Sequence, residues 1–129
     1  MVDISKIGYV ERSVDILYPP TKEPIGLTIT LMSPDDARLD PFRNALTNKR
    51  LAEQARNKHA KAEDLSKDRD MFLFRAMTGW VWAKGVDFDG EQLEFNQLNV
   101  LKVFDKLPWV RKQVDEEFSN LEGFFTRPD

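Results

Sequence analysis

A chain of 129 residues, 41% of them apolar, suits one packed domain and argues against wholesale disorder. The formal charge of −3 gives no global reason to expect a nucleic acid or an anionic membrane as partner. With no cysteine in the sequence, disulfides, thiolate nucleophiles and cysteine-held metal sites are excluded.

The first residues, Met1-Val2-Asp3-Ile4-Ser5-Lys6, carry an early acid and no apolar h-region, so a signal peptide is not expected. No apolar run approaches the ~20 residues that span a bilayer. Residues 1–12 show no clear period and read as an ordered edge or a loose N-terminal arm on a single domain covering 1–129.

From Ser13, the alternation of Val14, Ile16 and Tyr18 against Ser13, Asp15 and Leu17 predicts a strand that Pro19-Pro20 stops, because proline removes a ladder donor. Leu27 to Leu31 alternates in the same way. The Thr21–Gly26 segment between them has turn chemistry, and the two strands form a hairpin with a longer loop. Ser33-Pro34-Asp35-Asp36 is a helix start, with Ser33 as the capping side chain. Asp40-Pro41 is a second start, so a short first turn followed by a helix from about Pro41 to Ala62 is the cheaper reading.

That helix is strongly basic. Between Arg38 and Lys61 lie seven basic residues and two acids, a local balance of +5, and its apolar stripe fades into alanines after Leu51. It is a solvated arm, a face awaiting a protein partner, or a nucleic-acid contact; the lack of interleaved aromatics and the acidic remainder disfavour the last. Ala62 to Lys67 reads as a polar joint. Phe72, Leu73, Ala76, Met77 and Trp80 follow helical spacing and predict a central buried helix ending near Gly79. Val86, Phe88, Leu93 and Phe95 flank Asp89-Gly90, which is hairpin-turn chemistry. Asn96 caps a helix carrying Val100, Leu101, Phe104 and Leu107, and Pro108 starts another that steps through Val110, Val114, Phe118, Leu121 and Phe125. The fold class is α+β and predominantly helical, with an N-terminal β-hairpin, a small second β element near Val86–Phe95 and about four to five helices.

Reaction chemistry is sparse. His59 is the only histidine and lies in a polar stretch, which leaves histidine-based metal sites without companions and a serine triad without its base. Asp87-Phe88-Asp89-Gly90 places its glycine too early for a calcium loop. Asp115-Glu116-Glu117 reads as the wet face of an amphipathic helix, and the glycines are too scattered for a phosphate loop. Neither an enzyme, a metal site nor a cofactor is expected. Among the tryptophans, Trp80 and Trp109 sit on helical stripes that suit a core, whereas Trp82 is off that face and suits a contact. The Phe124-Phe125 pair near the C-terminus is a contact candidate as well, since chain ends seldom stay ordered without docking.

The C-terminal half carries a more specific pattern. Met77-Thr78-Gly79-Trp80, then Asp89-Gly90-Glu91-Gln92-Leu93-Glu94-Phe95-Asn96, then Leu107-Pro108-Trp109-Val110-Arg111-Lys112-Gln113-Val114-Asp115, closing on Phe124-Phe125, resembles the tail assembly chaperones of long-tailed bacteriophages and prophages. Order and spacing agree from Met77 to Phe125; the likeness over Ser13–Ala62 is looser, and Val110 stands where the family commonly has isoleucine. The resemblance implies a protein of the host bacterial cytoplasm, missing from the mature virion, that binds the phage tape measure protein and in a longer frameshifted form recruits the major tail tube protein. It also implies self-association into a homo-oligomer, with no membrane role. Trp82, Trp109, Arg111, Gln113, Phe124 and Phe125 are the expected partner-binding residues. A structural tail or head–tail completion protein retained in the virion is the alternative expectation.

Overall fold

The computed structural model of the protein describes residues 3–125. A three-stranded antiparallel sheet, ordered β1-β2-β3, packs one face against a layer of helices, and the first of the four helices lies outside the core. Strand β1 (Arg12–Tyr18) turns its Val14 and Ile16 inward, and β2 (Glu23–Leu31) does the same with Leu27, Ile29 and Leu31. Ser13 and Asp15 lie on the outer face opposite Thr30 and Thr28, bonding side chain to side chain at 3.0 and 2.8 Å. One apolar and one polar face is the pattern of an antiparallel sheet covered on a single side.

The hairpin loop is tighter than expected. Only Pro19–Lys22 turn, and Glu23–Gly26 belong to β2. Lys22, at a φ of 62°, takes the left-handed conformation that reverses the chain and donates its N–H to the Tyr18 carbonyl at 2.8 Å. Ser33 is buried and its hydroxyl accepts from the Asp35 N–H, but Asp36 caps the short 3-10 turn Ala37–Leu39. Helix α1 (Asp40–Ala55) then starts with Pro41 in its first turn, where its missing N–H costs nothing.

Three sequence expectations need correction. Helix α1 stops at Ala55 rather than Ala62, where Asn57 adopts a φ of 53° and the Lys58 N–H folds back onto the Glu53 carbonyl. The supposed polar joint is instead the first part of helix α2 (Ala62–Ala76), whose Glu63 and Asp64 favour the positive end of the helix dipole. Third, Trp80 does not lie on a helix. The chain switches after Ala76 into strand β3 (Met77–Trp82), which pairs with β2 so that Ile29 faces Trp80 and Leu27 faces Trp82. Thr, Val and Trp favour the pleated backbone, and the partner strand decides between two patterns that Met77 and Trp80 satisfy alike.

The second β element shrinks to one bridge, Phe88 with Glu91, closed by two main-chain bonds around Asp89 and Gly90, both at positive φ. Helix α3 (Gln97–Lys106) is capped by the Asn96 side chain, which accepts from the Asn99 N–H at 2.9 Å, as its sequence predicts. Helix α4 (Pro108–Phe118) ends sooner than the stripe suggested, and a 3-10 turn, Leu121–Phe124, completes the described chain. The N-terminal segment, read as an edge or a loose arm, is pinned near its end. The Val10 N–H donates to the Phe124 carbonyl at 2.7 Å, and Tyr9 bridges Phe125.

Candidate partner-binding groove

The six residues expected to contact a partner do not form one surface. Phe124, at the end of the 3-10 turn, is fully buried and belongs to the core cluster. Trp82 is half-buried on the core face of β3, edge-on to Trp80 at 5.4 Å between ring centroids. Arg111 is occupied by Asp70, with Asp115 at 3.7 Å. Gln113 reaches across to β1: its amide donates to the Leu17 carbonyl and accepts from the Leu17 N–H, both at 2.8 Å, in the manner of a neighbouring strand. Trp109 is half-buried and lines a shallow hollow with Gln113 between α4 and β1. Phe125 alone stays well exposed, tilted against Tyr9 at 5.0 Å.

A larger feature lies elsewhere. An open groove of about 530 Å³ runs between α1, α2 and the C-terminal end of α4. Its apolar lining is Leu46, Leu65, Phe72, Phe118 and Leu121, and Arg43, Arg50 and Arg69 line it beside Asp35 and Asp68. The groove exists because α1 does not sink into the core. None of the sixteen described residues of α1 is buried, and Leu46 alone of them packs partly against the core cluster. A second hollow of about 220 Å³ opens on the seam between α1 and α2 that Phe42 and Met71 line.

Charge and rings hold α1 where apolar burial does not. Asp68 on α2 receives Lys49 at 3.1 Å and Arg50 at 2.5 Å, and Arg43 donates to the Pro34 carbonyl. The Arg43 guanidinium sits over the Phe72 ring at 5.6 Å and Arg75 over Phe42 at 4.5 Å, while Arg69 over Phe118 at 5.5 Å joins α2 to α4. Such solvent-accessible, at most partly buried pairs contribute little each, on the order of 1 kcal/mol, so α1 is held less firmly than the helices that bury apolar side chains.

Partial burial pushes the Asp68 carboxyl up, but the hydrogen bonds from Lys49 and Arg50 outweigh it and hold the group below its ordinary 3.8. A lowered folded pKa stabilises the folded state above the unfolded value, and that contribution is lost as pH falls through the folded one. Amide-exchange protection of α1 is therefore expected to drop, relative to that of β2, as pH falls through and below about 4. Asp68→Asn should start at the lower protection and show no such step.

No protein-family model, curated protein or solved structure matches the chain. The groove itself thus carries the functional argument. Among the described residues, no group of three or more His, Cys, Asp or Glu is placed to hold a metal ion, and no helix is long and apolar enough to cross a membrane. The groove escaped the sequence because its members come from three separated segments. The signal that could have found it is Leu65, an isolated leucine in a charged stretch, together with the Arg43-Leu46-Arg50 spacing that puts all three on one helical face.

Proposed function

We propose that this chain is a tail assembly chaperone of a long-tailed bacteriophage or prophage, a non-enzymatic holder that acts in the host cytoplasm and is left out of the finished virion. Its client is the phage tape measure protein, with the major tail tube protein as a further partner. The single observation that carries this reading is the open groove under α1, lined by Leu46, Leu65, Phe72, Phe118 and Leu121 together with paired charged side chains. A tape measure is a long helical polypeptide whose apolar stripes would aggregate before the tube encloses them. A holder must cover such a stripe reversibly, and a helix-in-groove mode meets that need.

The order of the Met77-Thr78-Gly79-Trp80, Asp89-Gly90-Glu91 and Pro108-Trp109-Val110-x-x-Gln113-Val114 segments supports the same reading. Those segments work differently from the expectation that they touch the client. Gln113 and Asn96 secure the scaffold, one bridging α4 to β1 and the other starting α3. The charge of the basic stretch favours protein over nucleic acid, since Arg38, Arg43, Lys49 and Arg50 are each already paired with a carboxylate.

Co-expression with the tape measure reading frame of the same phage is the test. The tape measure protein should move from the pellet to the soluble fraction and co-purify with this chain. If it still aggregates with both proteins well expressed, the reading fails. Mass spectrometry of purified particles separates the alternative of a retained structural component, which would be found in them.

A further inference from the structure

The two edges of the sheet are treated differently. On the β1 side, Phe124 takes the Val10 N–H and Gln113 takes both main-chain groups of Leu17, so each end of that edge is occupied. Arg12 and Asp15 add charge between them. Charges and plugs of this kind are how proteins prevent strand addition. The β3 side has neither within the strand itself, and Gln92 takes the Ala83 carbonyl one residue past its end. Met77-Thr78-Gly79-Trp80-Val81-Trp82 contains no charged residue and no proline.

The register fixes which backbone groups β3 leaves open. The Ala83 N–H bonds inward to the Gly26 carbonyl at 2.7 Å, in line with the pairing of Val81 to Thr28 and Gly79 to Thr30. Main-chain groups alternate between the two sides of an antiparallel strand, so those of Trp80 and Trp82 point to the outer edge. Among the described residues, nothing bonds to them there. Val81, on the outer face between them, is 67% exposed, a large value for an apolar residue in a strand.

We infer that β3 is a strand-addition edge whose occupant is β3 of a second copy of this chain, giving a two-fold dimer with one continuous six-stranded sheet. The occupant is argued from self-complementarity. An antiparallel copy brings an equally uncharged strand, so no like charges meet across the axis. With Val81 opposite its counterpart on the axis, Trp80 of each copy pairs with Trp82 of the other, and the exposed valines cover one another on the outer face. This inference does not rest on the chaperone reading, because it uses neither the groove nor the client.

The absence of cysteine makes the register directly testable. Residues facing each other in a non-hydrogen-bonded antiparallel pair have Cα atoms about 4.5 Å apart, within disulfide reach. Val81→Cys should therefore oxidise to a covalent dimer under mild conditions, whereas Leu98→Cys, equally accessible at 77% exposure on α3, should stay monomeric on a denaturing gel. By sedimentation equilibrium the wild-type chain should weigh twice its 15.0 kDa, and Val81→Lys, with an unchanged circular dichroism spectrum, should return to the single mass. A wild-type monomer throughout the micromolar range overturns the inference. So does a dimer that survives Val81→Lys, or Leu98→Cys crosslinking as readily as Val81→Cys.

Discussion

Replacing Phe124 with alanine should destabilise the protein by about 3–5 kcal/mol, the cost of emptying a fully enclosed phenylalanine site. The expectation follows from its complete burial within five residues of the end of the chain. The loss reaches further than the cavity. The Phe124 carbonyl holds the Val10 N–H, and the adjoining Phe125 packs on Tyr9, so the variant should also release the N-terminal segment. Phe125→Ala is the contrasting case, because that ring is 43% exposed and should cost well under half as much. Urea unfolding of the three proteins measures the difference. Equal midpoints for the wild type and Phe124→Ala would show that the ring is not part of the core.

The second large effect is expected at the groove. Leu65 is 47% exposed and faces the slot between α1 and α2, so Leu65→Glu should leave folding stability nearly unchanged. A charge there would have to be desolvated under an apolar client stripe, a penalty of the size that marks an interface hot spot. Affinity for the tape measure segment should fall by about 30-fold or more, corresponding to at least about 2 kcal/mol. Leu65→Met, which keeps the apolar volume, should bind within a few-fold of the wild type. Fluorescence-anisotropy titration of a labelled client helix reads both variants. Unaltered binding by Leu65→Glu would place the client on another surface.

The hairpin and the last two helices were legible in the sequence because local signals and tertiary packing agree there. Val14 and Ile16 alternate toward the core as Leu27, Ile29 and Leu31 do, and the Asn96 cap and Pro108 start sit at true helix ends. The stretch from Ala62 to Trp82 was misread because two periods overlap in it. Phe72, Leu73 and Ala76 are a genuine helical stripe, and Met77 and Trp80 extend its spacing by coincidence into β3. The first half of α2 carries Leu65 as its only large apolar residue, too little for a periodic signal, and it is held by the Asp68 pairing with α1. That contact joins residues eighteen and nineteen positions apart, which no local pattern encodes.

The partner surface was the least legible part. Aromatic content nominated Trp82, Trp109, Phe124 and Phe125, yet large rings were needed first to fill a small core, and Phe124 went there entirely. Polar residues of the Pro-Trp segment were likewise spent on structure, with Arg111 on Asp70 and Gln113 on Leu17. What remains open is a slot made by a helix that buries none of its own residues. Its identity depends on how α1, α2 and α4 are arranged in space, so only the assembled fold reveals it.

Hydrogen-exchange mass spectrometry of the chain with and without its tape measure client tests this account most directly. Protection should rise along α1, over residues 62–72 and around 118–121, the segments that line the groove. Protection confined to the polar outer face of the sheet or to α3, with α1 exchanging as fast as in the free protein, would contradict it.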